Sequence, residues 1–309
     1  MRHGEPARGA YVLREGSADA VVTLPGGESL TVATLAAGGM FGEMALIELG
    51  TCTATVRATS AVNGWFIAHE DFRALVSQSQ PAALRLQHAV TNALAEKLGA
   101  LNAQLLACDA DEDRPAREVA RGDPLATAVR LRKPSFDAAA FLAHLPFFEH
   151  FAADEIEQFA GRGWYLELDR GRAIFVAGGE ASAAFVVVRG AVEIVAARAG
   201  RERRVAVLGP GQLVGYLSAL AKAAHSTHAF ARESAVLLEF PGDVFREQYF
   251  GSSRASSRLR HEVQASLLAA MGRTNRALTR LISQAKLDAS HRVGADLATA
   301  YHGQLTTTS

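Results

Sequence analysis

Cysteine is scarce and net charge is absent in this 309-residue chain, and each absence excludes a class of protein. The two cysteines, Cys52 and Cys108, imply no disulfide framework. Since 32 basic residues balance 32 acidic residues, no overall charge draws the chain to nucleic acid or to an anionic membrane. No apolar run approaches the roughly 20 residues that span a bilayer, and residues 1–10 contain no apolar signal-peptide core. We therefore expect a cytoplasmic protein with no membrane contact.

Signatures of catalysis and metal binding are missing as well. No nucleophile–base motif, phosphate-binding loop or dinucleotide fingerprint is visible, so we do not expect an enzyme. His88 and His261 have no further candidate ligands at metal-site spacing, so we expect them to pack rather than to bind a metal.

What the chain does have is an internal repeat. When the sequence is shifted by 173 residues, matching residues fall in register from a glycine-rich region into a long apolar-striped segment. The matches include Gly38 with Gly211, Gly42 with Gly215, Phe72 with Phe245, His88 with His261 and Leu94 with Leu267. Because chance matches would not keep one register over such a length, we interpret the chain as a duplicated domain.

Each copy follows the same order of elements. Short runs rich in β-branched residues, separated by glycines and polar clusters, predict the strands of a barrel or sandwich, and a long helix follows them. We place the first copy at 1–108, a linker with a solvated run of charges at 109–135, the second copy at 136–286 and a flexible tail at 287–309.

The first copy has no counterpart of the strand-like runs Trp164–Leu168 and Ala173–Val176. We therefore expect the first copy to be incomplete at its N-terminus: either its true start lies upstream, or its barrel is open. We expect an unpaired strand edge near Tyr11–Leu13.

The long helices each carry a narrow apolar stripe. In the second copy it contains Val263, Leu267, Met271 and Leu278, at a spacing close to that of a helix–helix seam. Such a stripe packs on its own barrel or pairs with another long helix, within the chain or between chains. We favour pairing, and we expect a homodimer or a partner protein bound through these helices.

One segment of the first copy contains Phe41, Gly42, Glu43, Met44 and Ala45, followed by Cys52, Thr53 and Ala54. This segment resembles the cyclic-nucleotide-binding domain family, which includes the bacterial catabolite activator protein and the regulatory subunit of cyclic-AMP-dependent kinase. The resemblance implies a mainly β fold with flanking α: two double-stranded β-helix, jelly-roll-like barrels, each followed by a long helix. It also implies that these residues form the cassette that binds a cyclic nucleotide.

The cassette chemistry is altered in both copies. The family's glutamate binds the ribose hydroxyl, and Glu43 is similar to it, but Cys52 stands where the family has the arginine that forks onto the phosphate. The second copy departs further, because Tyr216 replaces the glutamate and His225 the arginine. Its degenerate cassette comprises Gly215, Tyr216, Leu217, His225 and Ser226.

We therefore expect a non-enzymatic regulatory or sensor module. Its first copy would bind cyclic AMP or cyclic GMP weakly, its second copy would have lost the nucleotide, and no cofactor is expected. The alternative is a ligand-independent dimerisation or scaffold protein built on degenerate barrels. A transcription regulator of the catabolite activator type is less favoured, because residues 287–309 are too few for a winged helix-turn-helix, and direct DNA binding is not expected.

Overall fold

The computed structural model describes residues 1–23, 27, 29–78, 80–108, 114–117, 123–133, 138–198 and 200–305. Two jelly-roll-like barrels follow one another along the chain, each ending in a long helix, which confirms the predicted fold class. Strand neighbours pair antiparallel in both barrels, as the alternation of short strands and glycine turns predicts. Within the described ranges no helix is long and apolar enough to cross a membrane.

The first barrel consists of two three-stranded sheets, ordered β4-β1-β6 and β3-β2-β5. Its elements are β1 (Gly9–Glu15), β2 (Ala18–Thr23), β3 (Ser29–Leu35), β4 (Met40–Phe41), α1 (Met44–Ile47), β5 (Thr55–Ala58), β6 (Asn63–Ala68), α2 (His69–Ser77) and the long helix α3 (Pro81–Ala107).

The second barrel is larger, because each of its two sheets has five strands. Before it come β7 (Arg114–Pro115), β8 (Arg130–Leu131), α4 (Ala138–Leu142), a 3-10 turn (Pro146–Phe148) and α5 (Ala153–Gly161). The barrel elements are β9 (Trp164–Leu168), β10 (Ala173–Phe175), β11 (Ala183–Arg189), β12 (Val192–Arg198), β13 (Arg201–Leu208), β14 (Leu213–Val214), α6 (Tyr216–Ala221), β15 (His228–Ala231), β16 (Ala235–Pro241), α7 (Gly242–Phe250) and α8 (Arg254–Leu305). The sheets are ordered β14-β11-β16-β9-β8 and β10-β15-β12-β13-β7.

The two long helices pack against each other within one chain. They bury one continuous apolar seam, formed by Val90, Leu94, Leu98, Leu259, Val263, Leu267 and Met271. Three of the four residues assigned to a dimer helix are therefore covered by α3, and Leu278 is half-buried. The sequence left open whether a long helix packs on its own barrel or pairs with another long helix, within the chain or between chains. In the structure the two long helices pair within the chain, so these residues need no second chain to cover them.

Polar contacts in the seam show that the helices run parallel and in the register of the repeat. Arg260 Nε donates to Gln87 Oε1 at 3.0 Å, and Gln264 Nε2 donates to Thr91 Oγ1 at 3.1 Å. The partners in both contacts are 173 positions apart, so each residue meets its own counterpart. The two copies therefore face each other across the helix pair like the halves of a symmetric dimer.

The guanidinium of Arg260 is 1% exposed and joins three elements. Besides Gln87 on α3, it donates through Nη1 to the carbonyl oxygens of Tyr249 at 2.8 Å and Gly251 at 2.7 Å. These carbonyls lie at the C-terminal end of α7, where a helix dipole favours a positive charge. The buried cation is thus stabilised by carbonyl oxygens and the helix end.

The segment expected to be a linker contributes to the second barrel instead. β7 pairs with β13, and β8 pairs with β9. Arg130 forms a bidentate ion pair with the buried carboxylate of Glu239, with contacts of 2.6 and 3.0 Å, while its own side chain stays 35% exposed. Residues 109–113, 118–122 and 134–135 of the expected linker lie outside the described residues.

The open strand edge of the first barrel is not where the sequence placed it. β1 pairs on both sides, because Tyr11 faces Phe41 on β4 and Phe66 on β6. Within the described part of the chain, the edge left open by the missing counterpart of β9 is that of β6, since its own counterpart β16 is the strand that pairs with β9. On β6, Trp65 is 58% exposed.

The C-terminal segment is also different from expectation. The last helix does not end near 286 but continues to Leu305, so residues 287–305 are helical where a flexible tail was expected. Residues 287–305 are rich in alanine and leucine and contain no proline, a composition that favours helix. Residues 306–309 lie outside the described residues.

Removal of the Arg260 side chain should destabilise the whole chain. We predict that Arg260→Leu lowers the free energy of unfolding by about 3–5 kcal/mol, because it leaves several buried acceptors without a donor. Arg280→Leu, on the exposed side of the same helix, should change it by less than about 0.5 kcal/mol. Urea unfolding of both variants measures the difference, and an equally small effect of both would contradict the role given to Arg260.

Candidate ligand sites

The first-copy cassette begins at a turn that requires glycine. Gly42 follows β4 with φ +76°, and a Cβ atom there would lie 2.7 Å from the carbonyl oxygen of Gly9. The turn places Phe41 against Tyr11, with ring centroids 5.0 Å apart, and leads directly into the short helix α1, which carries Met44 and Ala45. The predicted order of turn, short helix and strand is therefore present.

Glu43, at the start of α1, is 3% exposed and already has a cation as its partner. Lys97 reaches over from α3, and its Nζ donates to Glu43 Oε1 at 2.8 Å and to the carbonyl oxygen of Met40 at 3.4 Å. The second carboxylate oxygen, Oε2, is buried and has no hydrogen-bond partner among the described residues. The carboxylate predicted to bind a ribose hydroxyl is thus half occupied by a side chain of the protein itself.

The cysteine that replaces the arginine lies buried before β5. Cys52 donates its backbone N–H to the Glu5 carbonyl at 2.8 Å and accepts at its own carbonyl from Gly4 at 2.9 Å. Thr53 is exposed and Ala54 half-buried. The backbone of the first cassette at Cys52 is thus held by hydrogen bonds to the N-terminal segment, and no arginine side chain is present at this position.

The second-copy cassette borders a cavity of about 150 Å³. The residues predicted for it all lie on the cavity wall: Gly215, Tyr216, Leu217, His225 and Ser226. The two long helices close the other side, with Leu98 and Asn102 from α3 and Arg273 from α8. The structure thus brings the degenerate cassette together with side chains from both copies.

The cassette side of this cavity has no charge at neutral pH. His225 is 5% exposed and stacks on Phe175 with ring centroids 3.8 Å apart, and burial lowers its pKa to about 4. Burial raises the pKa of Tyr216, so its hydroxyl stays protonated. Neither residue can replace the charged group that the family has at its position.

Two residues that contact or border the cassettes were missed from sequence. Lys97 and Arg273 lie on the long helices, far along the chain from the motifs. The repeat offered one signal that the position of Lys97 lies near a cassette: its counterpart in the second copy, Ala270, lines the second-copy cavity. In the described residues, no group of three or more His, Cys, Asp or Glu side chains could hold a metal ion.

These features belong to one protein family. The cyclic nucleotide-binding domain family matches residues 1–79 and 165–251, and the chain is a member of that family with two such domains. The matched segments contain both cassettes described above. The likeness therefore covers both barrels.

Two curated proteins and many solved structures are similar to parts of the chain. The cyclic AMP receptor protein of Thermus thermophilus is 31% identical over 123 residues, which are 40% of this chain and 55% of that protein. Glutaminase 1 of Bradyrhizobium diazoefficiens is 38% identical over 102 residues, which are 33% of this chain and only 16% of that enzyme. The regulatory domain of Toxoplasma gondii PKA, solved with cAMP, is 17% identical with a TM-score of 0.35, covering 87% of this chain and 80% of that chain.

The buried imidazole gives a direct test of the site geometry. We predict that His225 titrates near pH 4 in the folded protein, compared with about 6.5 in an unfolded chain. Because the unfolded state takes up this proton first, His225 should make the fold less stable as the pH falls from about 6.5 towards 4. Histidine NMR, with His225→Gln to assign the signal, measures the pKa, and a value near 6.5 would refute the buried stack.

Proposed function

We propose that the chain is a non-enzymatic regulatory module of the cyclic-nucleotide-binding family, in which ligand binding acts on the pair of long helices. The observation that carries this proposal is the composition of the second-copy cavity. Its wall contains Leu98 and Asn102 from α3 together with Arg273 from α8. A ligand in this position would touch the cassette and both helices at once, so binding would favour one arrangement of the helices over another.

The proposal assigns weak cyclic nucleotide binding to the first copy. Cyclic AMP or cyclic GMP would meet a Glu43 carboxylate whose Oε1 already accepts from Lys97, and would find no arginine for its phosphate, since Cys52 stands there. In the second copy, the neutral His225 and the protonated Tyr216 support the loss of the usual phosphate and ribose contacts. An ordinary cyclic nucleotide should therefore bind tightly to neither cassette in the family's manner.

The second candidate function is a ligand-independent scaffold. It is favoured by the buried polar contacts of Arg260, Gln87 and Gln264, which hold the helices in one register without any ligand. In this case the Lys97–Glu43 ion pair is a permanent replacement for a nucleotide contact. The scaffold would show no change of helix arrangement when nucleotides are added.

A protein partner remains part of the proposal. Ala107, the last residue of α3, corresponds to Arg280 under the repeat, while α8 continues to Leu305. Among the described residues this extension has no counterpart in the first copy, and we propose it as the segment through which a second chain or another protein binds. We place the module in the cytoplasm and assign it no direct contact with DNA. Sedimentation of the full chain and of a chain ending at residue 284 tests the role of the extension.

The first cassette should be repairable in two steps. We predict that Cys52→Arg alone strengthens cyclic AMP binding little, because Lys97 still holds Glu43, and that Cys52→Arg combined with Lys97→Met strengthens it by roughly 10- to 1,000-fold. Calorimetric titration of both variants measures the gain.

The matched control is His225→Arg in the second cassette, which should gain much less because Tyr216 still occupies the glutamate position. If the double variant stays as weak as the wild type, the first copy is not a weakened nucleotide site and the scaffold function is favoured.

A further inference from the structure

Arg273 is the one charged side chain among the described residues that line the second-copy cavity. It projects from α8, whereas the family's phosphate-binding arginine comes from the cassette, where this chain has the neutral His225. No described carboxylate lies on the cavity wall to pair with it. The cavity therefore has a single positive charge on its helix side.

The guanidinium of Arg273 is also incompletely bonded. Its Nε is buried and has no hydrogen-bond partner among the described residues. Burial lowers the pKa of Arg273, but an arginine nevertheless stays protonated at neutral pH. Because an unpaired buried donor on a cation is costly, this side of the cavity favours an anionic acceptor.

The opposite walls suit an uncharged body. Phe175, Ile194, Leu208 and Leu213 supply apolar surface, and Leu98 of α3 adds to it. Hydroxyl groups of Ser218, Ser226 and Thr227 lie on the cassette side. This combination of one cation, apolar walls and neutral polar groups matches a ligand with one negative charge on an apolar or aromatic frame.

We propose that Arg273 is the anion-binding residue of the second-copy cavity, and that the cavity takes a small singly charged anion with an apolar or aromatic body. This inference rests on the proposed sensor function and names the chemistry of its ligand. A cyclic mononucleotide held with its phosphate towards α8, and a non-nucleotide organic anion, both have this chemistry. In either case the ligand would join α8 to the cassette and to α3.

Four probes separate charge from shape. Cyclic AMP and anilinonaphthalene sulfonate each carry one negative charge, while adenosine and N-phenylnaphthylamine are their neutral relatives. Binding of the nucleotide pair is measured by calorimetry and that of the naphthalene pair by fluorescence, well below the melting temperature. The variants are Arg273→Met, Arg273→Lys and the matched control Arg276→Met, which removes an equal charge from an exposed position on the same helix.

We expect Arg273→Met to weaken binding of at least one of the two anions by about 10- to 100-fold, with the neutral probes and the Arg276→Met variant changing by less than about twofold. Arg273→Lys, which keeps the charge, should recover part of the loss. Because Arg273→Met removes an unsatisfied buried donor, its melting temperature should equal or exceed that of the wild type, which excludes unfolding as the cause. If binding of cyclic AMP depends on Arg273, the ligand is identified as a nucleotide. If only binding of the sulfonate depends on Arg273, the ligand is identified as a non-nucleotide anion.

Two results would overturn the inference, and they differ in what they leave standing. If the wild type binds an anion and Arg273→Met binds it equally well, Arg273 is not the contact, but a sensor of another design remains. If the wild type binds neither anion, the inference and the sensor function both fail, and the scaffold remains.

Discussion

A buried cation, Arg260, fixes the arrangement on which the other features depend. Its guanidinium bonds to Gln87 of α3 and to the carbonyl oxygens of Tyr249 and Gly251 at the end of α7, and it is 1% exposed. Its contact with Gln87 ties this cation to one register of α8 against α3, and leaving a buried cation unpaired would be strongly destabilising. The apolar seam supplies most of the attraction between the helices, but apolar contacts alone do not fix the register of one helix against the other. The polar contacts select the register in which each residue meets its repeat counterpart.

In this register the two long helices place different charged residues near their cassettes. In the first copy, Lys97 turns inward from α3 and neutralises Glu43, so the helix is attached to its own cassette by an ion pair. In the second copy the corresponding position is Ala270, and the nearest cation on α8 is Arg273, about one helical turn further along. A pair of domains that is symmetric in fold is therefore asymmetric in charge. The first cassette is closed by Lys97, a side chain of the same copy. The second copy has a cavity whose wall includes residues of both copies.

Much of this fold is predictable from sequence because it is repeated. Glycines such as Gly42 and Gly215 mark turns with positive φ in both copies, and the same 173-residue shift that aligns the sequences also describes the helix contacts. The missing strands of the first copy were predictable, but the position of the open edge was not, since sequence does not say which strands are neighbours.

Arg130 could not be recognised as an ion-pair residue because its partner Glu239 lies 109 positions away. Lys97 and Arg273 were missed because their roles depend on which face of a helix meets a barrel.

The parallel pairing of α3 and α8 within one chain can be tested by a crosslink. Thr274 and Asn102 meet at 3.1 Å in the seam, so Asn102→Cys with Thr274→Cys, placed in a chain with Cys52→Ala and Cys108→Ser, should form a disulfide on mild oxidation. We expect a monomer whose internal bond is visible by mass spectrometry, and no bond when Gln87→Cys is combined with Thr274→Cys. A disulfide-linked dimer on a non-reducing gel, without the internal bond, would show that the helices pair between chains and would contradict this arrangement.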